Sequence, residues 1–165
     1  MSQWIKIPGN VPSLKNNKEI VHIPLPGQNG IDRALKKMRP MLIPSKAHKK
    51  YEKATAPIWR NKANDFLKLT RGHLRPLKVG FYFVRDSRRL FDFDNAIATC
   101  QDIMITRGWI ADDDCSQMMG IPIGYHVDKE KCGVWVTVLP DDYGLVELPG
   151  ECLAGRTKQV DLFAG

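Results

Sequence analysis

From Leu77 onwards the hydrophobic period of the chain changes twice, and that change leaves few folds open. LKVGFYFV at 77–84 alternates weakly in twos and is rich in aromatics, which suits a central strand. Phe93 to Thr106 then places Ile97, Cys100, Ile103 and Met104 on one helical face, and Gly108 stops the helix. A strand pattern returns near Cys115–Tyr125 and Val134–Leu139, joined through the charged turn DKEKCG. Upstream, Ser45 is the candidate N-cap of a helix from about Lys46 to Thr70, carried by Tyr51, Ala54, Ile58, Trp59, Ala63, Phe66 and Leu67. Pro57 lacks the N–H that the helical ladder needs, so a kink or a second start is expected there. Trp4 to Ile7 reads as a first strand. Glu19 to Leu25 reads as a second strand or hairpin arm, confined to an edge by Pro24. Ile31 to Met41 is expected to hold a short helix or to stay irregular.

The order β(β)-α-β-α-β-β predicts an α+β fold: a single domain with a mixed β-sheet and two main helices packed on it. A length of 165 residues suits one such core. The domain is expected over 1–140, and 141–165, rich in Gly, Pro and acid at its start, reads as a C-terminal tail. No stretch of about 18 apolar residues exists, and MSQWIKIPGN lacks the apolar region of a signal peptide, so a cytoplasmic protein is expected. The cysteines at 100, 115, 132 and 152 form no C-x-x-C pair and read as reduced thiols. A zinc site built from them with His126 is a remote alternative.

Charge is unevenly spread. The net charge is +7, and residues 31–80 hold fourteen Lys or Arg against Asp32, Glu52 and Asp65. Such a concentration is the footprint expected for a phosphate backbone, although a solvated helix face produces the same pattern. Against this background Phe91 to Cys115 holds six acids and one base, Arg107. Asp92 and Asp94 straddle the start of the predicted helix. If Asp92 is extended and Asp94 opens the helix, their carboxylates can converge, and Asp94, Ala98 and Asp102 form a stripe at four-residue spacing. Asp112, Asp113 and Asp114 lie past the other end, so a following strand beside the helix has to bring them back. Mg²⁺ takes oxygen ligands, commonly one or two carboxylates plus substrate phosphate, and serves phosphodiester cleavage. Arg85, Arg88 and Arg89 stand close in sequence as phosphate clamps. Each aspartate has a plainer reading: Asp92 as an N-cap, Asp94 as a complement to the helix dipole, and the triple aspartate as a solvated turn.

The stretch FDFDNAIATCQDIMITRGWIADDDC resembles the signature of the RusA-type Holliday-junction resolvases: an arginine-rich approach, D-x-D-N, a helix, a Gly-aromatic turn and an Asp-Asp pair. PSLKNN at 12–17 resembles their Pro-Ser-x-Asn loop, and the two matches stand in the family's order within residues 3–139. The resemblance implies a Mg²⁺-dependent endonuclease (Mn²⁺ being a possible substitute) that acts as a homodimer on branched DNA. It makes paired nicks in a four-way junction. It implies Asp92, Asp94 and Asp113 as catalytic, metal-binding carboxylates, with Asn95 completing the motif and Asp102 at an acidic mid-helix position. It also implies that the loop of Lys15, Asn16, Asn17 and Lys18 approaches DNA. Lys46, Lys49 and Lys50 on the basic helix, with Arg85, Arg88 and Arg89, complete the expected DNA-binding set. One departure matters: the family's lysine four residues after the second aspartate is Ala98 here, so another cation such as Arg85, Arg89 or Lys18 is expected to serve. The dimer surface is not legible; the apolar edge at 20–25 and the tail are candidates. The competing readings are a DNA-binding protein without catalysis, favoured by Ala98, and a nuclease on flaps, other branched substrates or RNA.

Overall fold

The computed structural model describes residues 3–12, 18–24, 38–44 and 46–144. The main sheet is built from β1 (Ile5–Pro8), β4 (Leu77–Arg85), β5 (Met118–Val127) and β6 (Gly133–Val138), in the order β1-β6-β4-β5. Only β4 and β5 run parallel; β6 is antiparallel to both β1 and β4. Parallel neighbours need a crossover, and α2 (Phe93–Thr106) supplies it. With α1 (Lys46–Leu69) packed beside α2, the molecule is an α+β domain with a mixed four-stranded sheet and two helices. A second, two-stranded antiparallel sheet pairs β2 (Lys18–Pro24) with β3 (Met38–Pro44).

The core lies between the sheet and the helices. Along β4, Leu77, Val79, Phe81 and Phe83 point towards the helices and are almost fully buried. Ile5 and Ile7 of β1 and Val134 and Val136 of β6 extend the same face. From α2 come Ile97, Cys100, Ile103 and Met104, the face the sequence predicts. The other face of the sheet is open: Trp4, Tyr82, His126 and Trp135 line a shallow hollow of about 300 Å³ there.

Helix α1 departs from its expected pattern. Its buried residues are His48, Tyr51, Thr55, Trp59 and Phe66, while Ala54 and Leu67 face solvent. A threonine fits the buried stripe because its hydroxyl donates back to the Tyr51 carbonyl at 2.9 Å. Of the kink or second start expected at Pro57, the second start does not occur: one helix runs through it. Pro57 and Lys53 are both exposed, so the carbonyl deprived of its helical N–H meets water. The strand β3 replaces the expected short helix or irregular segment over its part of 31–41; residues 31–37 lie outside the described set. Each strand of a two-stranded sheet has an edge, which is where Pro24, Pro40 and Pro44 are tolerated. The strand expected from Cys115 starts later, at Met118, because the Asp114 carbonyl first takes the N–H groups of Gln117 and Met118 in a turn.

Two glycines are required by close approach. A Cβ at Gly120 on β5 would stand 2.6 Å from the Ile97 side chain on α2, and one at Gly133 on β6 would stand 2.5 Å from the Ile7 carbonyl oxygen on β1. The chain past β6 stays tied to the body. Lys78 Nζ donates to the carbonyls of Asp141 (2.6 Å) and Tyr143 (2.7 Å), and the Asp141 carboxylate accepts the Leu74 N–H and faces His73 Nδ1 at 3.1 Å. The expected start of the tail at 141 falls within an exposed turn held to the body by these hydrogen bonds, and 145–165 lie outside the described residues.

Hydrogen bonds from His73 and from the Leu74 N–H hold the Asp141 carboxyl below its ordinary value. A carboxyl depressed in the folded state adds stability above its unfolded value, and that stability is lost as pH falls through the folded one. Asp141→Asn is expected to melt at a lower temperature than wild type near neutral pH. The two melting curves should converge under strongly acidic conditions, and a gap that persisted there in scanning calorimetry would refute the assignment.

Candidate functional site

The D-x-D-N motif sits where β4 hands over to α2. Phe91 and Phe93 pack on Phe83 with ring centroids 5.8 and 6.0 Å away, and Tyr125 of β5 stands edge-on to both. These rings turn the intervening Asp92 outwards. Asp92 is the N-cap of α2, with extended backbone (φ −100, ψ 123), and its Oδ1 accepts the Asp94 N–H at 3.0 Å. Its Oδ2 accepts from Asn95 Nδ2 at 2.8 Å, and Asn95 is buried beneath it. The local geometry expected for the pair is therefore present: Asp92 extended, Asp94 in the first helical turn, both exposed. Asn95 gains a physical role, holding the Asp92 carboxylate in one orientation. A hydrogen bond to a charged group is worth roughly 1.5–3 kcal/mol. Asn95→Ala is expected to lose that amount in urea unfolding, whereas Asn95→Asp would set two carboxylates against each other and lose more. A neutral result for Asn95→Ala would remove the positioning role.

Beside this motif lies a cleft of about 730 Å³, lined by segments distant in sequence: Asn10 to Pro12, Ala47 of α1, Arg85 to Ser87, Arg89 to Phe91, and Lys129. Its charged lining is Arg85, Arg89 and Lys129 against Asp86. Two hydrogen bonds fix its rim. Arg85 Nη1 donates to the Val11 carbonyl at 2.6 Å, and Thr99 Oγ1 on α2 donates to the Pro12 carbonyl at 2.8 Å. Arg85 also lies over the Phe91 ring, 4.5 Å from its centroid. It is half-buried, and that burial lowers its pKa. The loop that begins PSLKNN thus starts at the lip of the cleft. Lys15, Asn16 and Asn17 lie outside the described residues, and Lys18 opens β2. Lys46, Lys49 and Lys50 are exposed in the first turns of α1, next to cleft-lining Ala47, and Arg88 is exposed on the loop between β4 and α2. Sequence reasoning missed Lys129 and Asn10. Both enter from turns whose nearness to Arg85 depends on strand pairing: the Asp128 N–H bonds to the Arg85 carbonyl.

The third acidic element is elsewhere. Trp109 is locked under α1, its indole N–H donating to the Trp59 carbonyl at 2.7 Å. Asp114 is held at the start of β5 by its bonds to Gln117 and Met118, and Gln117 bonds in turn to Leu77, the first residue of β4. Asp112, Asp113 and Asp114 are therefore at the Leu77 end of the sheet, and Asp92 and Asp94 at the Arg85 end. The strand after the helix does not bring them back within one chain. Among the described residues no three His, Cys, Asp or Glu side chains gather closely enough to hold a metal ion. The expected triad of Asp92, Asp94 and Asp113 does not form in a single copy, and a single copy does not fit a three-carboxylate metal. Asp102, exposed on α2, and Ala98, partly buried, follow Asp94 along the helix. Cys100 is buried, Cys132 half-buried and Cys115 exposed, and none of the three is in a disulfide. Cys152 lies outside the described residues.

No protein-family model matches the chain, and no curated protein matches it. Among the described residues no helix is long and apolar enough to cross a membrane.

Proposed function

We propose that the protein is a Mg²⁺-dependent, structure-specific endodeoxyribonuclease that resolves four-way DNA junctions by paired symmetric nicks, in recombination and repair. The observation that carries the reading is the Asp92 carboxylate, held by Asn95 Nδ2 and by the Asp94 N–H at the start of α2, one residue along the chain from Phe91, which lines a cleft with Arg85, Arg89 and Lys129. The motif resemblance to RusA-type resolvases supplies the reaction class. Two carboxylates plus a substrate phosphate satisfy the ordinary demand of Mg²⁺ for oxygen ligands. The cleft and the lysines at the start of α1 give a cationic track for the strand.

A second reading, a junction-binding protein without catalysis, is favoured by Ala98 and by the separation of Asp113 from Asp92 in one copy. Incubation of end-labelled four-way junction, flap and linear duplex with Mg²⁺ or Mn²⁺ separates the two. Paired nicks confined to the junction support the resolvase. Cleavage of flaps instead moves the substrate class, and tight junction binding without cleavage in either metal leaves the binding protein. We take Arg85 or Arg89, both cleft-lining, to stand in for the family lysine. If Ala98→Lys cut more than about tenfold faster, a gain of roughly 1.4 kcal/mol in barrier, that substitution role would be lost.

A further inference from the structure

We propose a second nucleic-acid site on the open face of the sheet, opposite the helices: the hollow of Trp4, Tyr82, His126 and Trp135 takes one unstacked base of a single strand, with Lys6 beside it for the phosphate. The site stands apart from the nuclease reading, since neither the cleft nor the aspartates take part in it.

The arrangement follows from register. Side chains on a strand alternate between the two faces of the sheet. Phe81 and Phe83 of β4 are buried in the core, so Tyr82 between them points away from the helices. Across the sheet Tyr82 stands opposite Trp135, and Trp135 stands opposite Lys6. One row across β1, β6 and β4 therefore carries Lys6, Trp135 and Tyr82 on the open face. Lys6 Nζ lies 5.3 Å from the centroid of the Trp135 ring. On β5 the partner of Tyr82 is Gly124, just past a shift in register at Phe81. A Cβ there would stand 3.2 Å from the Tyr82 ring, so the ring lies against the glycine. The Tyr82 hydroxyl and His126 Nδ1 are 3.1 Å apart, and the two rings stand 5.6 Å apart. Trp4 enters from the residue before β1, where the Thr137 hydroxyl donates to the Gln3 carbonyl at 2.8 Å.

Size and charge select the occupant. Trp4, Tyr82 and Trp135 are half-buried and His126 is exposed, so aromatic area is left in water on this face. The volume of about 300 Å³ is at the small end of ligand sites, which span roughly 300–1,000 Å³, and it suits one planar ring system. A cationic ligand is disfavoured: the lining carries no carboxylate, and Lys6 already stands over the Trp135 ring. An anionic ligand meets Lys6 on a chain of net charge +7. A base in a single strand satisfies both demands, because it stacks on aromatic rings whatever its identity and carries its own phosphate. A four-stranded sheet with aromatics on its free face is a known platform for such stacking.

Tryptophan emission reads this face directly. Of the four tryptophans, Trp59 and Trp109 are buried, at 0% and 2% of full exposure, so a stacked base reaches only Trp4 and Trp135. The probes are oligo(dT) and oligo(U), each about twelve nucleotides long, within the roughly 4–16 that single-strand sites span, and a blunt DNA duplex of equal length. Either single strand is expected to quench the emission of the full chain. The duplex, whose bases are already stacked, is expected to leave it unchanged. The tighter of the two single strands assigns the source as DNA or RNA. Trp135→Leu keeps an apolar side chain on β6, and its thermal melt checks that it folds. It is expected to weaken single-strand binding about fivefold or more in fluorescence anisotropy, the loss of one stacked base. Trp135→Phe keeps a ring and should stay close to wild type. Lys6→Gln should lower the slope of log affinity against log salt by about 0.7, one phosphate contact on a single strand. Absence of quenching by both single strands overturns the proposal. So does equal affinity of wild type and Trp135→Leu, which would place the strand in the cleft alone. An emission shift on concentrating the protein without nucleic acid would give the face to a second copy and overturn it as well. None of these results touches junction cleavage, which is read separately.

Discussion

Asp94→Asn is expected to leave the fold and junction binding intact and to lower Mg²⁺-dependent cleavage by at least about a hundredfold. The magnitude follows from what a metal ligand supplies. A bound divalent ion contributes several kcal/mol to phosphodiester chemistry, and each roughly 1.4 kcal/mol is tenfold in rate. The structure gives reasons to expect a clean variant. Asp94 is exposed, its backbone N–H already bonds to Asp92, and an amide occupies the same volume as the carboxylate. The cap of α2 belongs to Asp92, so the helix keeps its start. Asp92→Asn would be a poorer probe, because it would alter the cap and the bond from Asn95 together. Rates are to be compared under single-turnover conditions on a junction of fixed sequence, with binding followed separately at the same ionic strength. Cleavage within tenfold of wild type would sink the assignment of Asp94.

The largest expected loss of stability is at Trp109. Its ring stacks on Phe66 at 4.9 Å and meets Trp59 at 4.8 Å, and its indole N–H is bonded to the Trp59 carbonyl. It is 2% exposed. Replacing a buried tryptophan by alanine costs about 3–5 kcal/mol, a large share of the roughly 5–15 kcal/mol by which domains are stable. Trp109→Phe keeps most of the volume and loses the hydrogen bond, so its cost should be near 1–2 kcal/mol. Urea titrations of the two variants check both values. The position also matters for the acidic segment, because Trp109 anchors the chain just before Asp112 to Asp114.

Much of this architecture was legible in the chain. The period change from LKVGFYFV to the α2 pattern placed the central strand and the crossover helix, because buried strands and amphipathic helices impose different spacings on the same residues. The start of α2 was legible too, since an N-cap aspartate and a partner three residues on leave a local signature. The pairing of β2 with β3 was half legible: Pro40 and Pro44 hid the second strand, and only the cross-strand partner makes it one. Where Asp113 stands relative to Asp92 was not legible, because it depends on the direction of β5 against β4, which pairing decides and no local pattern encodes. Lys129 joined the cleft for the same reason.

The sheet order has a consequence for the birth of the molecule. β1, made first, pairs only with β6, which is made after every other described strand, and β6 also covers one side of β4. During synthesis Ile5 and Ile7 must wait, solvent-facing, until Val134 and Val136 have left the ribosome. Pairings so distant along the chain are slow to form and leave unpaired edges in the interval. A chain cut short before Gly133 would leave β1 without its partner and one side of β4 unpaired, and would lack Val134 and Val136 in the core. The β1 edge is therefore closed only by the strand that lies farthest from it along the described chain.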